Sequence, residues 1–266
     1  MNTLTSRDGT PLAFDKVGTG PALILVDGAL GHRADPNQQQ LVNLLSVHFT
    51  VFNYDRRGRG DSGDTQPYAV EREIEDIDAL VTAADGTAYL YGMSSGAILA
   101  LRAANKLGSK ITRLALYEPP FILDNSRPPL PTDYVEQLNA AIAAGDRSKA
   151  VEIFMTQAIL IPAGYLDSMK ADPMWAGMEQ VAHTIAYDGM VSREFMAGQP
   201  WASGTWDGVT AKIRVITGEN SESFFHTAAQ TLADDLANAE STVLAGQDHN
   251  VSMDALAPML IEFFRR

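Results

Sequence analysis

A chain that passes from a buried strand into a buried helix through one sharp turn has few sequences open to it. Residues 92–96, Gly-Met-Ser-Ser-Gly, satisfy that constraint. Before them, Thr87-Ala88-Tyr89-Leu90-Tyr91 is a compact run of strand formers. After them, the apolar run Ala97-Ile98-Leu99-Ala100-Leu101 predicts a buried helix. A serine in such a turn has a strained backbone and carries its hydroxyl clear of both elements. Glycines two positions either side let strand and helix approach closely. The spacing selects Ser94 as the nucleophile and leaves the Ser95 amide at a helix N-terminus, free to donate to an oxyanion.

The rest of the chain alternates strand and helix. Leu23–Val26, Val47–Tyr54, Ile111–Tyr117, Ile213–Thr217 and Ser241–Leu244 read as strands. Asn37–Leu45, Tyr68–Ala84 and Phe224–Leu236 carry apolar residues at helical spacing. Met253, Leu256, Leu260 and Phe263 mark a final helix, in which Pro258 is tolerable only near the first turn. This rhythm predicts an α/β fold, a mostly parallel sheet with helices on both faces. Residues 121–208 break it, with helical stretches at Thr132–Ala144, Arg147–Ala158 and Glu179–Tyr187 but no strand. The expected organisation is a core of residues 1–120 and 209–266, with 121–208 as a helical insertion over the carboxyl ends of the strands. The alternative is an independent helical domain.

Composition removes several classes of function. The 266 residues include no cysteine, which excludes disulfides, thiolate metal sites and a cysteine nucleophile. A net charge of −13 argues against nucleic acid and anionic membranes as partners. The first residues lack a signal-peptide pattern and no apolar run approaches the ~18 residues of a membrane span, so a cytoplasmic protein is expected. Gly18-Thr19-Gly20 precedes a strand and is no dinucleotide fingerprint. No histidine–carboxylate spacing suggests a metal, so no cofactor is expected. The basic run Arg56-Arg57-Gly58-Arg59-Gly60 reads as a structural turn. Oligomeric state is not legible.

With the elbow placed, the chain resembles the α/β-hydrolase superfamily over nearly its full length. Three further segments carry the resemblance: Val26-Asp27-Gly28-Ala29, Tyr54-Asp55-Arg56-Arg57-Gly58-Arg59-Gly60-Asp61-Ser62, and Gly246-Gln247-Asp248-His249. The first sits where the family has its oxyanion loop, the second matches its Y-D-x-R-G-x-G-x-S turn, and the third falls where its histidine lies. The chain order Ser94, an acid, then His249 is that of the family's triad. His32, His48, His183 and His226 are alternatives for the base, but only His249 combines a strand end with a Gly-x-x-His loop. The resemblance implies backbone amides of Ala29 and Ser95 as the oxyanion donors.

Two departures from the family stand out. Asp27 replaces the usual histidine; a structural role is expected for it, hydrogen-bonded to the loop, with Arg56 or Arg57 as partner. Ser221 stands where most members place the catalytic aspartate. Glu118, at the end of the sixth strand, is the first choice of acid; Glu222 and Glu219 are the alternatives, and loss of the acid is another.

The insertion supplies Met155, Leu160, Met169, Met174, Trp175, Met178 and Tyr187 as apolar surface for a substrate. The resulting expectation is a cofactor-free hydrolase acting on a small, largely apolar ester, lactone or related acyl compound through an acyl-enzyme. C–C hydrolysis, perhydrolysis, a lyase reaction, and a ligand-binding protein with little turnover are the alternatives.

Overall fold

The computed structural model describes residues 1–266. Eight strands, β1 (Asn2–Thr5), β2 (Pro11–Val17), β3 (Ala22–Val26), β4 (Thr50–Tyr54), β5 (Ala88–Met93), β6 (Ile111–Tyr117), β7 (Lys212–Gly218) and β8 (Ala239–Leu244), build one sheet. Their spatial order is β1-β2-β4-β3-β5-β6-β7-β8. The six strands from β3 onward pair in parallel, while β1 and β2 form an antiparallel edge. Continuous apolar runs such as Leu23–Val26 and Leu114–Tyr117 are buried, as parallel strands covered on both faces require. The sequence reading found no strand before Leu23, because β1 and the end of β2 are largely exposed and lack that run. Likewise β4 begins at Thr50 rather than Val47, whose side chain is exposed.

Helices α1 (Pro36–Leu45), α2 (Val70–Ala83) and α3 (Ser95–Leu107) follow β3, β4 and β5. Asp35 caps α1 by accepting from the Asn37 and Gln38 amides, and Pro36 opens the helix where its missing N–H costs nothing. One face of the sheet is covered by Ile77 and Leu80 of α2 with Ile98 and Leu99 of α3. The opposite face is covered by Leu41 and Leu45 of α1 with Leu256, Leu260 and Phe264 from the C-terminal helix.

Between β6 and β7 lie α4 (Tyr134–Ala143), α5 (Arg147–Ile153), α6 (Leu166–Lys170), α7 (Pro173–Gln180) and α8 (Ile185–Ser192), with a wide helical turn at Phe154–Ala158 extending α5. The expected single helix over 179–187 is instead the end of α7, a 3₁₀ turn at Ala182–Thr184, and the start of α8. Arg147 explains the break: its guanidinium donates to the carbonyls of Glu179 and Gln180, satisfying a helix end. These helices pack around Leu138, Val151, Trp175 and Ile185, and this cluster also takes in Phe224 and Phe225 of α9 (Ser223–Asp235). The last helix, α10 (Met253–Arg265), contains Pro258 in its second turn, one turn further in than expected. The lost amide donor there is offset by burial of Leu256, Leu260, Phe263 and Phe264. No helix is long and apolar enough to cross a membrane.

Candidate active site

Ser94 joins β5 to α3 with φ 54° and ψ −128°, a conformation costing on the order of 1–3 kcal/mol for a residue with a side chain. Its amide donates to the Tyr117 carbonyl at 2.9 Å, which ties the elbow to β6. The flanking glycines are steric necessities. A Cβ on Gly96 would lie 2.3 Å from the Val26 carbonyl oxygen, and one on Gly92 would lie 2.5 Å from that of Gly96. Leu30 (φ 66°) and Glu118 (φ 47°) also have positive φ, so three of the chain's five such non-glycine residues lie around this corner of the sheet.

Glu118 follows directly on β6 and is fully buried. Its Oε2 lies 2.7 Å from Nδ1 of His249, which sits in the loop after β8. Its Oε1 accepts from the Gly218 amide at 2.7 Å and from the Ser221 hydroxyl. Ser221, at the position where the resemblance places an aspartate, thus donates to a carboxylate that reaches the histidine from another strand. The imidazole also stacks on Phe225, with ring centroids 4.9 Å apart. With Nδ1 held by the carboxylate, Nε2 is the nitrogen left for proton exchange. The alternative acids are engaged elsewhere. Glu219 accepts from the Gly246 amide at 2.8 Å, and Glu222 pairs with Arg127 at 2.8 Å.

The loop after β3 is gripped by arginines. Nη1 of Arg59 donates to the carbonyls of Gly28 (2.5 Å) and Gly31 (3.1 Å), while Arg56 donates to the Asp27 carbonyl at 3.2 Å. Asp27 differs in part from expectation. Its carboxylate does bond the loop, accepting from the Gly28 amide at 2.8 Å. Neither Arg56 nor Arg57 pairs with that carboxylate, however: Arg56 reaches only the carbonyl, and Arg57 belongs to Asp76 and Asp8. Burial pushes the Asp27 carboxyl up to about 6, against the opposing pull of the Arg59 charge.

A raised carboxyl pKa means the fold favours protonated Asp27. The associated stability is fully present below the ordinary value near 3.8 and is lost as pH rises through about 6. Asp27→Asn keeps an acceptor for the Gly28 amide and removes this dependence. The variant is expected to melt above wild type at pH 8, with the gap closing by pH 4; an equal shift at both values would rule the assignment out.

Sequence reading did not anticipate Asp188 of α8. This carboxylate is 4% exposed and accepts from Arg56 at 2.6 Å, Arg59 at 2.5 Å and the Ser95 hydroxyl at 2.7 Å. Burial alone would raise its pKa, but the two guanidinium charges outweigh burial and hold it below the usual range. Arg56 additionally forms a two-pronged pair with Glu73 of α2 at 2.6 and 2.7 Å. The available signal was an aspartate in the apolar stretch Ile185-Ala186-Tyr187-Asp188-Gly189-Met190-Val191, opposite a buried basic turn.

Ala29, Ser94, Ser95 and His249 line one cavity of about 320 Å³. Of the expected insertion residues, Met155 lines it and Leu160, Met169, Met174, Trp175, Met178 and Tyr187 do not. Trp175 is buried in the insertion's own core, where its indole N–H reaches Ser148 and Glu179. Met178 packs against that core and Leu160 is exposed. The Tyr187 ring stacks on Tyr68 while its hydroxyl meets Asp64 and Gln66. The apolar lining comes instead from Leu130, Tyr134, Phe154, Met196, Phe224 and Phe225.

The model of the alpha/beta hydrolase family matches residues 26–259. The structure is similar to an alpha/beta hydrolase from Sphaerobacter thermophilus, with 48% identity, a TM-score of 0.90, and coverage of 99% of this chain and 100% of that one. An enol-lactonase from Burkholderia xenovorans shares the fold at 21% identity and a TM-score of 0.71, covering 100% of both chains. Among curated relatives, the uncharacterized hydrolase YraK of Bacillus subtilis is 34% identical over 97 residues, which is 35% of each chain. The match to a proline iminopeptidase of Pestalotiopsis fici covers 41% of each at 28% identity. The chain therefore spans well under half the length of these curated relatives. From the elbow at Ser94 to the loop carrying His249, with a family match running across 26–259, this chain belongs to the alpha/beta hydrolase family.

Proposed function

We propose that this protein is a cofactor-free serine hydrolase for a small, largely apolar ester, lactone or related acyl compound. One observation carries the reading: a buried carboxylate, Glu118, lies 2.7 Å from His249 Nδ1, and that histidine shares a cavity with an elbow serine. In this reading Ser94 attacks the carbonyl while Nε2 of His249 takes its proton. Glu118 holds the imidazole tautomer and stabilises the imidazolium. Amides of Ala29 and Ser95 receive the oxyanion. His249 returns the proton to the leaving alcohol, then activates the water that releases the acid. Residues 121–208 act as the cap that bounds the substrate. A cavity near the lower end of the ~300–1,000 Å³ range of ligand pockets, with aromatic and aliphatic walls, favours a compact acyl group.

Labelling with a fluorophosphonate probe tests the mechanism. Wild type is expected to label rapidly, and Ser94→Ala and His249→Ala not at all. With short p-nitrophenyl esters, each substitution is expected to lower kcat by on the order of 10⁶-fold, since members of such a unit fail together. Folded wild type that neither labels nor turns over these esters would leave a ligand-binding protein as the better reading.

A further inference from the structure

Asp188 plays no part in the proton transfers above, yet its carboxylate bonds Ser95 directly and, through Arg56 and Arg59, is linked to the loop after β3. We propose that Asp188 is a positioning residue that sets both oxyanion donors from the cap, so that the hole is formed only when α8 is seated on the core. The inference rests on the serine-hydrolase reading.

The two routes are short. The Gly28 carbonyl and the Ala29 N–H belong to one planar trans peptide and point in opposite directions. Arg59, by holding the Gly28 carbonyl at 2.5 Å and the Gly31 carbonyl at 3.1 Å, fixes the direction of the Ala29 N–H. Leu30 between them has φ 66°, a conformation that needs such restraint. Arg59 is in turn held by Asp188 Oδ2 at 2.5 Å and by the Thr184 hydroxyl at 3.1 Å, both on the insertion. On the other route, Asp188 Oδ1 accepts from the Ser95 hydroxyl at 2.7 Å and so fixes the residue whose amide is the second donor. That same oxygen accepts from Arg56, which donates to the Asp27 carbonyl one peptide earlier in the loop. One buried carboxylate therefore coordinates the loop after β3 and the start of α3. Lifting α8 would remove it from both.

Two variants test this, Ser95→Ala and Asp188→Asn. Ser95→Ala deletes one hydroxyl, leaves both arginine pairs intact, and keeps the Ser95 amide. Active sites are first counted by fluorophosphonate titration, with Ser94→Ala as the unlabelled control. The kcat per titrated site is then measured with a short p-nitrophenyl ester, alongside affinity for a trifluoromethyl ketone whose adduct bears the oxyanion. Asp188→Asn is expected to lose ~10²-fold in kcat per site and Ser95→Ala about tenfold, with KM within twofold of wild type. Ketone affinity should fall by the same factors as kcat/KM. A merely structural Asp188 would reduce the titratable fraction and the melting temperature while leaving kcat per site unchanged. That result, or unchanged ketone affinity in both variants, overturns the proposal. If Asp188→Asn does not fold, Ser95→Ala alone decides it. Failure of wild type to label would overturn the underlying reading instead, and this inference with it.

Discussion

Glu118→Gln is expected to lower kcat by ~10⁴-fold with little change in KM, the size of loss that follows when a triad acid is neutralised in place. The amide matches the carboxylate in volume and still offers an oxygen to the Gly218 amide, now bonded at 2.7 Å, so the sheet end survives. What disappears is the charge opposite His249 Nδ1. No neighbour takes over, because Glu219 is held by Gly246 and Glu222 by Arg127. Ser221 sharpens the test, since its hydroxyl already contacts the Glu118 carboxylate. Adding Ser221→Asp to Glu118→Gln restores a carboxylate from β7 rather than β6 and is expected to recover more than tenfold of the loss (above ~1.4 kcal/mol). Glu118→Gln with kcat within about twofold of wild type (a few tenths of a kcal/mol) would remove Glu118 from the mechanism.

A second large effect lies away from the cavity. Asp76 of α2 meets buried Arg57 with two bonds of 2.7 and 2.8 Å, and Asp8 adds a third at 3.0 Å. Asp76→Ala leaves Asp8 as the one remaining counter-ion of a guanidinium that is 1% exposed, so urea denaturation is expected to show a loss of about 3 kcal/mol, the lower end of the cost of breaking a buried pair. Neither residue lines the cavity, so kcat per titrated active site should stay at the wild-type value. A loss under about 1 kcal/mol, the worth of a surface pair, would mean that water reaches Arg57.

Much of the fold was legible because its rules are local. Two glycines around Ser94, the apolar run of β3 and the periodic apolar face of α2 each announce an element within a dozen residues. Elements set from a distance were not. The break between α7 and α8 depends on Arg147, 32 residues before the first carbonyl it caps. β1 is held mainly by pairing with β2, and nothing in Asn2-Thr3-Leu4-Thr5 alone asks for a strand.

The site divides in the same way. Glu118 was singled out by its place at a strand end, and the structure brings it to His249, 131 residues on. Asp188 meets Arg59 across 129 residues, and no periodicity or spacing connects a lone aspartate to a basic turn so far upstream. Pocket walls were harder still. Trp175 and Met178 are bulky and adaptable, but which face of a short helix meets the cavity depends on how its neighbours dock, and α7 turns them inward to its own core.

The charge balance at Asp188 also limits how this protein can be recombined. Helical insertions between β6 and β7 look like exchangeable modules, because their apolar cores are largely their own. Here the module carries the counter-ion for two cations of the host, Arg56 and Arg59, each no more than 2% exposed. A chimaera that imports a foreign insertion without a carboxylate at that point leaves Arg56 to Glu73 alone and inherits an unneutralised Arg59, whatever the quality of its apolar fit. Grafts onto this scaffold must bring their own acid, or the recipient must surrender Arg59 at the same time.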